Sequence, residues 1–307
     1  MRESPHLYGP FRERLDAFGH ELDGVHAGDV EAVHRTRVAS RRLRELLPLL
    51  ALDQDFTRIL SRRLRVVTRQ LGTVRELDVL LLLVEEIAED RRLSAAALGT
   101  IGAAAAKARV NARARLSAKL PKAKLERLVH ELERASKSVQ SRTDKPDHPH
   151  ANGSGRAWLW ALEARLVHRA ARVREAIESA GAVYVPEHLH RVRIVVKKLR
   201  YAAELAPNAM RKHIGADVAA LKTAQDLLGR LHDLHVLLIR AREAQTLLFP
   251  PDLLMWRDLS SLVAVVEDDC RRLHARYMCN RSELMAIANR MAAGAQAYPV
   301  ARRRAAI

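Results

Sequence analysis

The sequence is poor in glycine, aromatic residues and cysteine. Its 307 residues include only 13 glycines and two cysteines, and aromatic residues make up 4% of the chain. Alanine, leucine, arginine and glutamate occur instead in long runs, and these residues are strong helix formers. The sequence therefore predicts an all-α protein with no sheet of consequence.

The few cysteines and the short apolar runs exclude several classes of protein. Cys270 and Cys279 lie nine positions apart on one predicted helix, so they point in roughly opposite directions and predict neither a disulfide nor a zinc site. The first residues lack the apolar core of a signal peptide, and the longest strongly apolar run, Val79 to Val84, is too short to span a membrane. We expect a protein of a reducing compartment, the cytoplasm, without membrane association.

Carboxylates are scarce relative to cations. The chain has 53 Lys and Arg residues against 36 Asp and Glu residues, which gives a formal net charge of +17. Such a charge creates a broad positive potential that attracts polyanions. Hydrophobic residues make up 48% of the chain, enough for a globular protein with a sizeable core. The predicted partner is therefore an acidic molecule.

Familiar catalytic motifs are also absent. The sequence contains no Walker A loop, no Gly-x-Ser-x-Gly, no His-Glu-x-x-His and no Cys-x-x-Cys. His232 and His235 have a spacing that could hold a metal, and His148 and His150 lie close together in a predicted linker. We favour a structural role for the first pair and give the second pair no weight as a metal site. The sequence thus predicts no enzyme, no cofactor and no metal.

Two basic segments repeat one another along the chain. At about 100° per helical residue, the cationic side chains of each segment share one face, opposite an apolar side. These residues, called here the basic rows, are His34, Arg37, Arg41 and Arg44 in the first copy and His190, Arg193, Lys197 and Arg200 in the second. A cation at every turn, ~5.4 Å apart, suits a linear anion. A solvated helix face is the alternative, but it would not require both copies to keep the same register.

A second pair of segments extends the repeat. Leu71–Leu80 is echoed by Leu228–Leu237 in the same order, so the duplication covers whole modules. Between the first two segments, a further predicted helix carries one narrow basic stripe. Its members are Arg58, Arg62, Arg65 and Arg69.

Apolar periodicity and the positions of glycine and proline divide the chain into predicted helices. In the first half they cover residues 8–27, 29–50 with an irregularity at Pro48, a basic helix ending at Gly72, 75–93, 95–118 and 121–140. In the second half they cover residues 157–180, a helix opened by Pro186, 211–229, 232–248, 252–279 and 281–296. The predicted domains are a first helical half (1–140), a flexible linker (141–156) and a second helical half (157–307) with a basic tail at Arg302–Arg304.

The repeated segments resemble the hallmarks of the CHAD family, the conserved histidine α-helical domain. The resemblance rests on residues 33–44, 189–201, 71–79 and the echo from Leu228, and it spans roughly residues 10–290. It implies two antiparallel helical bundles related by a pseudo-two-fold axis, with basic helices facing a central channel that binds inorganic polyphosphate. The implied polyphosphate-binding residues are the two basic rows together with Arg62, Arg65, Arg69 and Lys222. The second half departs from the first, with Ala219 and Asp226 where the first has arginines.

These observations leave a leading function and two alternatives. The leading hypothesis is a non-catalytic polyphosphate-binding protein that associates with polyphosphate granules, and non-specific nucleic-acid binding is the runner-up. A phosphohydrolase would need convergent metal-binding carboxylates, for which Glu76, Asp78 and Asp233 are too few. His34 and His190 are either structural helix-start residues or anion ligands that become cationic on binding. Lysine and arginine are expected to stay charged throughout the range in which these histidines titrate.

Overall fold

The computed structural model describes residues 7–50, 52–89, 93–143, 151–206, 208–248 and 250–293. Within these ranges the chain forms helices and no strand, so the predicted all-α class is confirmed. The helices are α1 (Tyr8–His20), α2 (Leu22–Ala27), α3 (Val30–Leu46), α4 (Gln54–Ile87), α5 (Ala95–Lys119), α6 (Lys122–Thr143), α7 (Ala151–Ala180), α8 (Pro186–Ala203), α9 (Asn208–Thr246) and α10 (Leu253–Ala292). The basic tail at residues 302–304 lies outside the described residues.

In the first 50 residues, the positions predicted to end or begin helices largely do so. Gly28 ends α2 in the left-handed region, with φ 79°. Asp29 then caps α3, because its carboxylate accepts a hydrogen bond of 2.5 Å from the amide of Ala32. A 3-10 turn, Leu47–Leu49, follows α3 at the predicted proline irregularity. The prediction of one helix over residues 8–27 was wrong, because the backbone turns at Glu21, with φ −89° and ψ 0°, and separates α1 from α2.

Two glycines predicted to end helices lie inside long helices instead. α4 continues through Gly72 to Ile87, and α9 continues through Gly229 to Thr246. A glycine inside a helix costs only about 1 kcal/mol relative to alanine, so it does not end a helix whose apolar face continues to bury surface. Leu71, Val74 and Leu77 are buried on either side of Gly72. The separate helices predicted over 75–93 and 232–248 are thus parts of α4 and α9.

The predicted break in the last helix and the ends of the predicted linker also differ from the structure. α10 runs unbroken through the predicted break near residue 280, because Tyr277 and Leu284, one heptad apart, are both buried and keep its apolar side continuous.

Of the predicted linker, residues 141–143 belong to α6 and residues 151–156 begin α7, while residues 144–150 lie outside the described residues. Extending an existing helix adds a hydrogen bond for each residue fixed, which offsets the weak propensity of Asn152 and Gly153.

Apolar side chains from both sequence halves share the same cores. One cluster buries Leu80 and Leu83 of α4 and Ile101 of α5 against Leu237 of α9 and Leu262 of α10. Removing either half would therefore expose apolar surface that the other half now covers.

Ion pairs also link the halves. Arg165 and Arg169 of α7 both bind the carboxylate of Glu45 on α3, at 2.5 and 3.3 Å. Arg230 of α9 forms two parallel hydrogen bonds of 2.7 Å to Glu86 of α4. These pairs hold α3 and α4 beside the helices of the second half, which is the arrangement that the site requires.

Candidate functional site

Arg37 of α3 lies across Gly72 of α4. A Cβ atom on Gly72 would be 3.5 Å from Arg37 Nε, so a methyl group would just touch the guanidinium and a longer side chain would displace it. Gly229 of α9 stands in the same relation to Arg193 of α8, at 3.7 Å. The Nε atoms of both arginines are buried without a hydrogen-bond partner. The two glycines therefore allow each arginine to pack flat against the neighbouring helix.

A buried polar contact fixes α3 against α4. The hydroxyl groups of Ser40 and Thr68 are 2.9 Å apart and share a hydrogen bond, and the Thr68 hydroxyl also lies 2.7 Å from the carbonyl of Leu64. Both side chains are buried, so this contact could not be exchanged for water without a rearrangement of the helices. It sets the register that brings Arg37 to Gly72.

A cavity of about 560 Å³ lies between α3, α4, α8 and α9. Cationic and histidine side chains from all four helices line it. They are His34, Arg37, Arg41, Arg42, Arg75, His190, Arg193, Lys197, Arg200 and His232. The carboxylates in the lining are fewer: Glu76, Asp226 and Asp233. Both basic rows, predicted from segments far apart in sequence, thus contribute to one concave and strongly cationic site.

Some predicted site residues lie outside this lining. Arg44 is at the end of α3, and Lys222 is exposed on α9. Arg62, Arg65 and Arg69 are exposed on α4, where Arg62 also lines a separate groove between α4 and α6. The seven other predicted residues line the cavity, so the structure divides the predicted set into an inner group and an outer group.

Three cationic or histidine residues of the cavity were missed by the sequence reasoning. Arg75 and His232 occupy the same position in the two copies of the second repeat, three residues after the glycine, and that shared position was the available signal. Arg42 falls outside the basic row of α3. Its guanidinium is 3.5 Å from Glu204, beyond the end of α8.

Lys197 is the most perturbed cation of the cavity. Burial, followed by repulsion from Arg193, Arg41 and Arg37, lowers the pKa of the Lys197 ammonium to about 6. The pKa of Arg37 falls to about 10 for the same kind of reason, burial first and then Arg41. The expectation that every lysine of the rows stays charged in the histidine range is therefore wrong, because burial of Lys197 and, after it, repulsion from neighbouring cations disfavour the charged ammonium.

The histidines of the cavity are held in their neutral form. The Nδ1 atoms of His190 and His232 are 3.1 Å apart, so one ring donates to the other and at least one ring is neutral. Burial is the main cause that lowers the pKa of His34, of His190 and, to about 3, of His232. A bound anion would oppose this shift, but each neutral ring already carries one N–H donor.

The cavity carboxylates do not form a metal centre. Burial raises the pKa of Asp233, although Arg193 and Arg230 oppose that shift. Across the described parts of the chain, no three His, Cys, Asp or Glu side chains converge as metal ligands would. Cys270 is buried and Cys279 exposed, and both are free thiols.

The family model of the CHAD domain matches residues 10–242 of this chain. The chain belongs to the CHAD family. The match covers both basic rows and both glycines that face Arg37 and Arg193, so the cavity residues are part of the CHAD domain itself. Among curated proteins, no significant sequence match is found.

Two solved structures share the CHAD fold with this chain. The crystal structure of the CHAD domain from the plant Ricinus communis is 22% identical, with a TM-score of 0.58 over 92% of this chain and 90% of the other. PptA from Streptomyces chartreusis is 18% identical, with a TM-score of 0.55 over 90% of this chain and 98% of the other. At these identities the similarity establishes the fold. A membrane-crossing helix is not found among the described residues.

Proposed function

We propose that this CHAD protein binds inorganic polyphosphate in the cavity between α3, α4, α8 and α9. The observation that carries the proposal is the convergence of both basic rows on one cavity, where burial first, and repulsion from Arg193, Arg41 and Arg37 second, lower the pKa of Lys197 to about 6. Cations held this close together repel one another, and they indicate a polyanionic ligand because a bound anion would relieve that repulsion. The resemblance of the repeated segments to CHAD hallmarks independently implies the same ligand.

The chemistry of the lining fits successive phosphates. Arginine offers planar pairs of donors that match two oxygens of one phosphate, whereas lysine acts as a compact point charge. Arg37 and Arg193 are packed against glycines and lose little further freedom when they bind. The two rows would therefore hold a linear phosphate chain in a site that is already ordered.

The main competing function is non-specific binding of nucleic acid, which would rest on charge alone. Sequence-tolerant binding of single strands depends on bases stacking on exposed aromatic rings. Among the described cavity residues the one Phe, Tyr or Trp is Tyr201, and its ring is covered by the guanidinium of Arg200, 4.9 Å from the ring centre. The lining therefore favours phosphate chains without bases.

We propose a binding role without catalysis. Hydrolysis of a phosphate chain needs a metal or an activated nucleophile beside the phosphates. Asp233, a half-buried carboxylate of the site, lies among cations that attract it, and its repeat equivalent is Glu76. We assign both carboxylates to the orientation of nearby arginines. Release of phosphate from polyphosphate incubated with the protein and Mg²⁺ would contradict this assignment.

Calorimetry with four ligands in one buffer tests the proposal. Long-chain polyphosphate should bind with higher affinity than single-stranded DNA or duplex DNA of equal charge, and triphosphate should compete for the same site. Equal affinity for polyphosphate and DNA would favour the nucleic-acid alternative. The same protein tagged for fluorescence microscopy should coincide with polyphosphate granules in cells that form them.

A charge-reversal variant tests the location of the site. Arg41→Glu with Lys197→Glu should lose most polyphosphate binding, because both side chains line the cavity. Circular dichroism checks that the helices are retained. Unchanged affinity in a variant with an unchanged spectrum would move the site away from the cavity.

A further inference from the structure

One face of α4 passes from the cavity to the protein surface. Glu76 lines the cavity and Gly72 faces Arg37 of the lining. At about 100° per residue, Arg62, Arg65 and Arg69 fall on the same side of the helix as these two residues, within about 80°. The distance along the helix from Gly72 to Arg62 is ~15 Å. The exposed arginines are therefore a direct continuation of the cavity wall.

α3 accompanies α4 along this path. Arg37 lies on Gly72, and Ser40 shares a hydrogen bond with Thr68. The two helices are therefore antiparallel, and a residue one turn later on α3 lies beside a residue one turn earlier on α4. The next step of this register brings Arg44 beside Arg65. Burial is the largest cause that lowers the pKa of Arg44, and repulsion from Arg65 is the second. Arg44 thus joins the cavity to the exposed arginines of α4.

Four cations on this path make no ion pair with any described residue. They are Arg44, Arg62, Arg65 and Arg69, and we call them the outer tract. Their neighbours on α4 differ, since Arg58 is paired with Asp55 and Arg63 with Glu131. Arg58 shares this side of α4 but is paired, so the unpaired part of the stripe begins at Arg62.

The equivalent path on the second half carries less positive charge. Arg200, the counterpart of Arg44, binds Glu204 at 2.7 Å and Gln225 at 3.1 Å. Pro48 and Thr68 occupy the matching positions in the first half, so Arg44 has no such partners. In place of Arg62 and Arg69, α9 has Ala219 and Asp226. At the position of Arg65, α9 keeps a cation, Lys222, so an anion leaving the cavity on this side would meet two carboxylates and one exposed cation.

We propose that a long polyphosphate held in the cavity continues over the outer tract, on the first half only. The cavity then binds any chain that fills it, whereas the outer tract adds affinity for chains long enough to extend ~15 Å along α4. The protein is thereby selective for long chains, and the bound chain leaves the cavity in one direction. This inference rests on the proposed function, since it names the length of the polyphosphate that the same site prefers.

Calorimetry with tripolyphosphate and with long-chain polyphosphate tests the inference on the full chain. The test variant combines Arg62→Gln, Arg65→Gln and Arg69→Gln. A control combines Arg240→Gln, Arg257→Gln and Arg271→Gln, which removes three exposed charges that are ion-paired on α9 and α10. Circular dichroism checks that both variants keep their helices.

The test variant should lose about tenfold in affinity for long-chain polyphosphate, as expected for three exposed contacts. Its slope of log affinity against log salt should become shallower by about 2. Its affinity for tripolyphosphate should match the control. The inference is overturned if the test variant binds long chains as tightly as the control does, or if it loses tripolyphosphate affinity to the same extent. A wild-type protein that binds neither ligand would instead overturn the proposed function, and the inference with it.

Discussion

Lys197 shows how burial, reinforced by neighbouring like charges, changes the chemistry of one side chain. The unfolded chain would hold its proton up to a pKa of about 10.4, whereas the folded, empty cavity lowers that pKa to about 6. Between these values the unfolded state binds more protons, so this residue makes the empty protein more stable as pH rises and less stable as pH falls towards 6. A bound anion reverses the effect, because it favours the charged ammonium.

Binding of polyphosphate should therefore take up protons, and its affinity should rise as pH falls from 8 to 6. Lys197→Met should lose most of this gain and should stabilise the empty protein at pH 7 by about 1 to 4 kcal/mol, because no buried amine remains. Calorimetry in two buffers with different ionisation enthalpies counts the protons, and thermal unfolding measures the stability.

A double variant of the two helix-start histidines, His34 and His190, provides the control. His34→Gln with His190→Gln should keep most of the gain between pH 8 and 6, because burial lowers the pKa of both histidines below the ordinary 6.5. If this double variant, rather than Lys197→Met, lost the gain, the histidines would be the groups that take up the protons.

Gly72 and Arg37 give a second test at this scale. Gly72→Ala should bind polyphosphate normally and gain about 0.5 to 1 kcal/mol of helix stability, because a methyl group fits 3.5 Å from Arg37 Nε. Gly72→Leu should displace the guanidinium and weaken binding about tenfold, the cost expected of one charged hydrogen-bonding group. Equal affinity in the two variants would mean that the position of Arg37 does not matter for binding.

The sequence predicted the residues of the two rows better than their neighbours. Helical periodicity places His34, Arg37 and Arg41 on one face, and only local geometry is needed for that step. The pairing of Arg42 with Glu204 and of His190 with His232 joins residues distant in sequence, and no periodicity reports such contacts. The pKa of Lys197 depends on cations from both halves, so it required the assembled cavity.

At the scale of helices, Glu204 at the end of α8 pairs with arginines that would otherwise be free to bind an anion in the cavity. Glu204 binds both Arg42 and Arg200, which line the cavity. Glu204→Gln should raise polyphosphate affinity about tenfold, since two arginines would lose their competing carboxylate. The same variant should lower the thermal stability of the empty protein, because repulsion in the cavity would be less balanced. Lower affinity measured by calorimetry would show instead that Glu204 is needed to orient the two arginines.

The positions where helices begin were predicted more reliably than the places where they continue. Asp29 and Pro186 act through neighbouring atoms, and the structure confirms both. Gly72 and Gly229 looked like helix ends because their conformational cost is local. Their role, the close approach of Arg37 and Arg193, comes from a second helix. A glycine in a predicted basic helix can therefore indicate a packed arginine rather than a break.

At the scale of the whole molecule, the two halves should not fold separately. Leu80 and Ile101 of the first half are buried against Leu237 and Leu262 of the second. A truncated chain of residues 1–140 should therefore show no cooperative thermal unfolding and should bind polyphosphate far more weakly than the full chain. A truncated chain that unfolds cooperatively and matches the full chain in affinity would show that one basic row is sufficient.

The internal repeat predicted which segments correspond but not how unequal they are. Sequence comparison aligns Arg44 with Arg200 and Arg65 with Lys222. The structure adds that Arg200 is bound by Glu204, whereas Arg44 forms no ion pair with a described residue. The difference arises from the side chain four positions further on, Pro48 in one copy and Glu204 in the other.

The contrast between the exposed outer tract and the partly buried charges of the cavity has a consequence for rates. Charges exposed to solvent are screened over a Debye length of about 8 Å at physiological salt, whereas enclosed charges are screened much less. Association begins at the surface, so its rate constant should fall steeply with added salt. Dissociation requires the chain to leave the cavity, so its rate constant should depend on salt much less. At high salt a long chain should therefore bind more slowly but stay bound for a similar time.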